Sequence, residues 1–416
     1  CKWIETNCES VMKELQSKQL DYIVQLFGEG DEAPDMNWVS QLEVNPKTGH
    51  AATTVENIRI IVKNDPRFKG TFYWDEFMER PMVCGDLPWR KADAKPRSWD
   101  DTDDAGVHNV LEKDYKIDSM PKTREGVDLA LADITRHPVR EYLRSLIWDG
   151  EKRCETLFID YLGAEDSRYT RTVTRKALIG AAARILSPGC KHDHMLVLIG
   201  PQGCRKSTTL KKLGKEWFSD SLYTMSGKDA YEQLQGFWII ELSEMAATRK
   251  AEVEQIKQFV SKQEDNYRAA YARRTQCHPR QCAFFGTTND EEFLRDPTGA
   301  RRFWPVVVTD AGKTLGDKLT ASIVDQIWAE AVTYYEAGET WYLDGAVEEM
   351  ARKVQADHTE ANGKLGLIEN FLEVLLPEGW DDWDLEKRLM FWSGGFGEER
   401  NGTVPRTKVC ALEVWQ

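Results

Sequence analysis

The chain has 416 residues, of which 41% are hydrophobic and 30% are charged. These proportions exclude a disordered chain, and no apolar run is long enough to cross a membrane, so we expect a soluble protein of two or three domains. The net charge of −14 opposes a protein coated by nucleic acid, although a local basic channel can hold DNA because charges beyond roughly 10 Å are screened. Nine scattered cysteines without a C-x-x-C pair indicate a reducing compartment, and we expect a cytoplasmic protein.

The first half of the chain has a largely helical pattern. Residues 1–105 are expected to form an N-terminal accessory region, mostly helical, and the acidic patch at 100–104 predicts a linker or a solvated turn. Residues 106–189 are expected to form a helical, collar-like region, because Val139 and Tyr142 lie on one helix face after Pro138. The first residue is not Met, and the last residues lie within an element, so we expect a chain trimmed at both ends.

From residue 190 onward, short apolar strands alternate with helices. Strands are predicted at 195–199, 237–240 and 282–285. This alternation is typical of a parallel sheet covered by helices, so residues 190–345 are predicted to form an α/β domain. Residues 346–416 are predicted to be a small helical region that is truncated at its end.

A glycine loop lies between the first predicted strand and a helix. The order of strand, glycine loop, Lys-Ser and helix is that of a phosphate-binding loop, in which glycines let backbone N–H groups point at phosphate. Lys206 would neutralise the β- and γ-phosphates of ATP, and the Ser207 hydroxyl would face Mg²⁺. Such loops usually have Gly before the Lys, and we expect the side chain of Arg205 to be tolerated only if its backbone keeps a negative φ. The predicted ATP-binding residues are Gly200, Gln202, Gly203, Cys204, Arg205, Lys206, Ser207 and Thr208.

Polar side chains follow the second and third predicted strands. Glu241 is assigned to the hydrated Mg²⁺ and Glu244 to the attacking water, although the two roles can be exchanged. Asn289 stands at the strand end where open α/β sheets bind ligands, and it can position the water or contact the γ-phosphate. Arg301 and Arg302 form either a solvated turn or, in an oligomer, an arginine finger that reaches a neighbour's γ-phosphate.

The stretch 249–280 is basic within an acidic chain. It carries eight Lys and Arg residues against four acidic residues, and it begins with an amphipathic helix predicted at 251–261. Basic residues interleaved with Tyr suit a single DNA strand, because phosphates meet Arg while bases stack on Tyr. The alternative is a surface hairpin with scattered charges. The predicted DNA contacts are Lys257, Lys262, Arg268, Arg273, Arg274 and His278.

In combination, these motifs resemble the virulence-associated E (VapE) family of phages and pathogenicity islands, which is related to superfamily 3 helicases. The resemblance runs from about residue 130 to 310. Beside the glycine loop, the matching stretches are Trp148-Asp149-Gly150, 160–166, 216–221, 241–244, 286–289 and 298–305.

The resemblance implies an AAA+-like core, hexameric rings, Mg-ATP and a role in replicating mobile-element DNA in a bacterial host cell. A primase module would lie upstream or on another chain. The segment before Asn289 would form a pore hairpin, with Arg273 and Arg274 as candidates for it. We therefore predict an ATP-driven helicase or translocase on single-stranded or forked DNA. The alternative is a nucleotide-gated initiator that loads on an origin without unwinding.

Overall fold

A computed structural model describes residues 37–227, 229–243, 250–267, 274–291, 293–294, 300–359, 374–392, 402–405 and 408. These residues form an N-terminal unit, residues 37–136, followed by a larger α/β unit. Within these ranges, no helix has the length and apolar character needed to span a membrane.

The N-terminal unit packs three helices against a four-stranded sheet. The strand order is β3-β2-β1-β4, in which β1 pairs antiparallel with β2 and parallel with β4. Ile58, Phe72 and Leu111 are buried in its core. The elements are α1 (Val55–Asn64), β1 (Phe72–Asp75), β2 (Arg80–Val83), β3 (Arg97–Ser98), α2 (Asp101–Tyr115), α3 (Met120–Asp133) and β4 (Thr135–Arg136), after a 3-10 turn at Asn37–Gln41.

The acidic patch at 100–104 is the start of α2, and the prediction of a linker there is wrong. The Asp100 carboxylate accepts hydrogen bonds from the backbone N–H groups of Thr102 and Asp103, and the Asp103 carboxylate accepts one from the N–H of Asp100. Carboxylates stabilise a helix at this end, where N–H groups are unpaired. The boundary predicted at 105 therefore falls inside α2, and the core of this unit continues through Leu131. Helices make up more of this unit than strands, as expected, but the small sheet β1–β4 was not predicted.

The rest of the chain contains the remaining elements, of which those from residue 376 onward have a small core of their own. Its helices are α4 (Pro138–Ser145), α5 (Leu157–Leu162), α6 (Arg168–Leu186), α7 (Lys206–Gly214), α8 (Asp229–Glu232), α9 (Lys250–Val260), α10 (Gly312–Leu315), α11 (Ala321–Glu336), α12 (Gly345–Asp357) and α13 (Leu385–Trp392). Its strands are β5 (Met195–Ile199), β6 (Phe218–Ser219), β7 (Ile239–Leu242), β8 (Glu264–Tyr267), β9 (Gln276–Pro279), β10 (Ala283–Thr288) and β11 (Phe303–Val307). Short 3-10 turns occur at Lys215–Trp217, Ala300–Arg302, Gly316–Lys318 and Trp380–Asp382.

Five of these strands form a parallel sheet in the order β11-β5-β10-β7-β6, which confirms the predicted parallel sheet. The strand predicted at 195–199 is β5. The second predicted strand runs later than expected, so that Glu241 lies inside β7, and the third continues to Thr288. Strands β8 and β9 form a separate antiparallel hairpin between β7 and β10 in the chain.

Helices cover both faces of the parallel sheet. Alternate residues of β5 point to opposite faces, so Leu196 and Leu198 join the core beneath α6 and α11, whereas Val197 joins the core beneath α9. Every residue of β5 is buried. A continuous apolar run is what a central parallel strand requires when both of its faces are covered.

A buried carboxylate joins α11 to the turn that follows Trp148. Glu330 is 0% exposed, and its Oε2 accepts hydrogen bonds from the backbone N–H groups of Arg153 at 2.5 Å and Cys154 at 2.8 Å. On the same helix, the side-chain oxygen of Gln326 accepts the N–H of Asp149 at 2.8 Å. The turn is therefore held by side chains of a helix more than 170 residues away.

We predict that Glu330→Ala lowers the free energy of unfolding by about 2–4 kcal/mol, because one buried and one partly buried backbone N–H group lose their acceptor. Glu330→Gln keeps an acceptor oxygen and should lose less. Glu336→Ala, on the exposed side of the same helix, is the matched control and should change stability by less than about 0.5 kcal/mol. Urea titration of the three variants measures the differences, and equal losses in Glu330→Ala and Glu336→Ala would contradict the prediction.

Candidate functional site

The carboxyl ends of three adjacent strands, β5, β10 and β7, meet at one cavity of about 450 Å³. The loop after β5 forms one wall, and the ends of β7 and β10 form the opposite wall. In an open α/β sheet, this edge is where ligands bind. The cavity is lined by residues 202–208 of the loop together with Ser243, Thr287, Thr288, Asn289 and Lys313.

Lys206 begins α7 and points back into the loop. Its side chain is buried, and Nζ donates to the carbonyl oxygens of Gly200 at 2.6 Å and Pro201 at 3.0 Å. Nζ also donates to Oδ1 of Asn289 at 2.9 Å. Two residues that the sequence suggested from separate motifs are therefore in direct contact. An anion that enters the loop can take the place of the two carbonyl oxygens as a partner of this ammonium group.

Glu241 lies on β7 and faces the first turn of α7. Its side chain is 1% exposed, and Oε1 accepts hydrogen bonds from the hydroxyls of Ser207 at 2.6 Å and Thr287 at 2.5 Å. Oε2 is buried and has no hydrogen-bond partner among the residues that the structure describes. A buried carboxylate oxygen without a donor is costly and marks a place for a water molecule or a cation.

These residues fit Mg²⁺. This ion prefers oxygen ligands, usually one or two carboxylates together with water and substrate phosphate. Ser207 and Glu241 would hold it, directly or through water, with the unpartnered Oε2 as the free acceptor. Glu244, which we predicted as the residue that activates water, lies outside the described residues.

The backbone of Arg205 corrects one prediction. Its φ is +69° and its ψ is 24°, in the left-handed region, whereas we expected a side chain to be tolerated here only at a negative φ. For a residue with a side chain, this conformation costs roughly 1–2 kcal/mol. The side chain makes two contacts in this conformation: Nε donates to the carbonyl oxygen of Lys313 at 3.3 Å, and the guanidinium lies 3.0 Å from the Asp317 carboxylate.

Four cavity residues were not predicted from the sequence: Ser243, Thr287, Thr288 and Lys313. The two threonines directly precede Asn289, and the run of polar residues at that strand end was a usable signal. Lys313 carried no signal, because it belongs to a four-residue helix outside any motif.

The predicted DNA-binding residues differ in exposure, and two of them lie outside the described residues. Arg268 and Arg273 lie outside the described residues, whereas Arg274 is exposed shortly before β9. Lys257 is 3% exposed and pairs with Glu254 at 2.8 Å, so its position argues against a contact with a DNA strand.

The remaining two candidates also have partners. Lys262 Nζ donates to the Tyr231 hydroxyl at 2.6 Å. His278 Nδ1 lies 2.7 Å from the carboxylate of Glu79, in the turn between β1 and β2. This contact joins the β8–β9 hairpin to the N-terminal unit.

Arg301 and Arg302 lie at the end of the sheet that is opposite the glycine loop. They precede β11, which runs parallel to β5 with Phe303 beside Met195, so they are about 16 Å or more from the loop after β5. Arg301 is exposed, whereas Arg302 Nε donates to the Ser261 hydroxyl at 3.0 Å. Neither residue can reach the cavity of the same chain.

A second cavity of about 250 Å³ lies beside these arginines. The ring of His194 stacks on that of Trp304 there, with centroids 4.5 Å apart. Burial lowers the pKa of His194, and the nearby Lys191, Arg302 and Arg301 lower it further, against the opposite effect of Asp193. The histidine is therefore mostly neutral near pH 7, and the positive charge of this surface comes from Lys191, Arg301, Arg302 and Arg352.

Comparison with known proteins places the chain in a family. The sequence model of the virulence-associated protein E-like domain matches residues 143–360. The match begins in α4 and ends just after α12, so it includes the whole parallel sheet and the cavity at its edge. The chain therefore belongs to the virulence-associated protein E-like family. No match was found among curated protein sequences.

Among solved structures, the chain is similar to the C-terminal region of NrS-1, residues 305–718 of that protein, in its apo form. The identity is 12% and the TM-score 0.41, over 82% of this chain and 80% of that chain. Two A-form apo structures of the same region each cover 79% of both chains. Their identities are 12% and 14%, with TM-scores of 0.40 and 0.43.

If the cavity takes a magnesium nucleotide, Glu241→Gln should remove most of the effect of Mg²⁺ on nucleotide binding. We expect ATP affinity in EDTA to stay within about threefold of the unchanged protein, while the gain on adding Mg²⁺ falls at least about tenfold, because a carboxylate ligand is lost. Thr287→Val keeps the carboxylate and removes only a donor to it, so it is the control. Calorimetric titration of ATP with and without Mg²⁺ measures these affinities. If Mg²⁺ raises the ATP affinity of Glu241→Gln as much as that of the unchanged protein, the ion is bound elsewhere.

Proposed function

We propose that this protein is an ATP-hydrolysing motor that moves or opens DNA in the replication of a phage or other mobile genetic element, and that it works as an oligomeric ring. The observation that carries the proposal is the convergence of Lys206, Ser207 and Asn289 on one cavity at the edge of a parallel sheet, with the buried Glu241 bonded to Ser207 directly behind it. A cation, a hydroxyl, a carboxylate and an amide in this order are the groups that bind and hydrolyse a nucleoside triphosphate.

The sheet supports an AAA+-like core. The glycine loop follows β5, the carboxylate lies on β7, and Asn289 follows β10, the strand between them. The double arginine precedes β11 on the other side of β5. The β8–β9 hairpin is inserted between the carboxylate strand and the asparagine strand, where the family resemblance suggests a pore hairpin.

Each residue has a role in the proposed reaction. Lys206 would exchange its bonds to the loop carbonyls for bonds to the β- and γ-phosphates, and Asn289, now bonded to Lys206, would contact the γ-phosphate or the attacking water. Glu241 and Ser207 would hold the hydrated ion. Mg²⁺, when bound, supplies positive charge that stabilises the developing charge on the phosphates. We retain Glu244 as the proposed base.

Two features support a ring that acts on DNA. Arg301 and Arg302 cannot reach the nucleotide of their own subunit, but they lie at a surface that a neighbouring subunit can contact. Arg274 adjoins the hairpin and is exposed, so a strand inside a ring can meet it. In this proposal, ATP turnover in one subunit depends on an arginine of the next. The primase module would be a separate part of the system.

The first test concerns hydrolysis and unwinding together. Lys206→Ala should reduce ATP turnover at least about 100-fold, because the phosphates lose their principal cation. It should also lower the melting temperature slightly, since two loop carbonyls and Asn289 lose a donor. Lys211→Ala, exposed on the same helix, is the control and should behave as the unchanged protein.

The same proteins are then tested for ATP-dependent strand displacement on a forked duplex. Displacement by the unchanged protein and by Lys211→Ala, but not by Lys206→Ala, is the expected result. Hydrolysis without displacement would favour an initiator that loads on DNA without unwinding. Near-normal turnover in Lys206→Ala would contradict the assignment of the nucleotide site.

The second test concerns the proposed arginine finger. Arg301→Ala or Arg302→Ala alone should lose about 10³–10⁵ in turnover while ATP binding is kept, because such an arginine stabilises charge in the transition state. Mixed with Lys206→Ala protein under conditions of subunit exchange, the arginine variant should regain activity, since some interfaces then pair an intact cavity with an intact arginine. Failure of both variants to recover, with exchange shown independently by labelled subunits, would exclude a shared site.

A further inference from the structure

A second cation, Lys313, faces the cavity from outside the glycine loop. Its Cε would lie 3.9 Å from a Cβ placed on Gly203, so the side chain runs along the outer surface of the loop. It is part of the cavity wall, and no motif of the sequence predicted it there. A side chain in this position can contact a ligand that the loop encloses.

The ammonium group of Lys313 is available to a ligand. Nζ lies 2.9 Å from the Asp310 carboxylate, and the two side chains are 53% and 62% exposed. Exposed ion pairs of this kind contribute little to stability. A polyphosphate carries several negative charges and offers many acceptor oxygens, so it can replace the single carboxylate at this ammonium.

Arg205 explains why Lys313 stays beside the loop. Its guanidinium lies 3.0 Å from the carboxylate of Asp317, and its Nε donates to the carbonyl oxygen of Lys313 itself. The aliphatic part of the side chain lies close to Gly316, where a Cβ would approach Arg205 Cδ to 3.2 Å. One side chain thus joins the loop to both ends of the segment that carries Lys313.

The backbones of the loop and this segment also approach each other closely. A Cβ on Gly312 would lie 2.4 Å from the carbonyl oxygen of Cys204, and a Cβ on Gly200 would lie 2.4 Å from that of Val308. These contacts fix the position of α10, because no side chain separates the two backbones. The Arg205 side chain adds a polar tie at the point where the segment turns away from the loop.

We propose that Lys313 is a second cationic ligand of the nucleotide's polyphosphate and that Arg205 is a positioning residue that holds it there. This inference rests on the proposed nucleotide site and adds a phosphate contact from outside the glycine loop. It also accounts for the arginine at a position where glycine would fit the backbone without strain: the side chain ties α10 to the loop.

The inference is tested by binding of ATP, sodium tripolyphosphate and adenosine to the full chain. Lys313→Ala should weaken ATP and tripolyphosphate about tenfold, the loss of one charge-assisted contact, and leave adenosine unchanged. Lys313→Arg should restore most of the affinity. Lys318→Ala, a lysine of the same segment outside the cavity wall, is the matched control. Melting temperatures within about 2 °C establish that the variants are folded.

The positioning role of Arg205 is tested by a double-mutant cycle. Arg205→Gly keeps a residue that favours the left-handed conformation and removes the tie, so it should weaken tripolyphosphate about threefold to tenfold. Asp317→Asn should weaken tripolyphosphate binding to the same extent, although Asp317 is outside the cavity wall, because it removes the partner of the Arg205 guanidinium. Combining Arg205→Gly with Lys313→Ala should be no worse than Lys313→Ala alone, because both changes remove the same contact.

The outcomes separate the two proposals. If the unchanged protein binds neither ATP nor tripolyphosphate, the nucleotide site itself fails. If it binds both and Lys313→Ala equals Lys318→Ala, only the role of Lys313 is overturned. A fully additive effect of Arg205→Gly and Lys313→Ala would overturn the positioning role, since Arg205 would then act on the ligand independently.

Discussion

The buried ammonium group of Lys206 requires acceptors, and its partners determine how the site is assembled. It donates to the first two carbonyl oxygens of the loop and to Asn289 at the end of β10. A buried cation without such acceptors would cost far more than the hydrogen bonds contribute. The loop must therefore close on its own lysine, and β10 must end beside it. The backbone of Gly200 also lies against Val308, so the residue that follows β11 packs directly on the loop.

The Ser207–Glu241 pair lies beside the Lys206–Asn289 pair because of the order of the strands in the sheet. Lys206 and Ser207 are consecutive at the start of α7, while β10 and β7 are adjacent in the sheet. Lys206 therefore contacts Asn289, which directly follows β10, and Ser207 contacts Glu241 on β7, although the members of these pairs are 83 and 34 residues apart in sequence. Because β11 runs parallel to β5, Arg301 and Arg302, which precede β11, lie at the opposite end of the sheet.

The parts of the site that follow local patterns could be predicted from the sequence. The loop, its flanking elements and the polar strand ends were identified because parallel strands present their carboxyl ends at one edge. Features set by tertiary contacts could not be predicted in this way. Lys257 and Arg280 were counted in the basic stretch 249–280 but are buried, Arg280 in a 2.6 Å pair with Asp265. The acidic patch forms the start of a helix because its carboxylates accept hydrogen bonds from backbone N–H groups that would otherwise be unpaired.

The β8–β9 hairpin lies between the strands that carry Glu241 and Asn289, and the N-terminal unit holds its base. The carboxylate of Glu79 accepts from Gln235 at 3.0 Å and lies 2.7 Å from the ring of His278 on β9. Glu79 has a φ of +52°, a strained conformation for a residue other than glycine, which persists when contacts on both sides fix it. Because the hairpin base is bonded in this way, a displacement of the hairpin during turnover must either break these contacts or carry the N-terminal unit with it. The N-terminal unit is thus mechanically connected to the element that we propose contacts DNA.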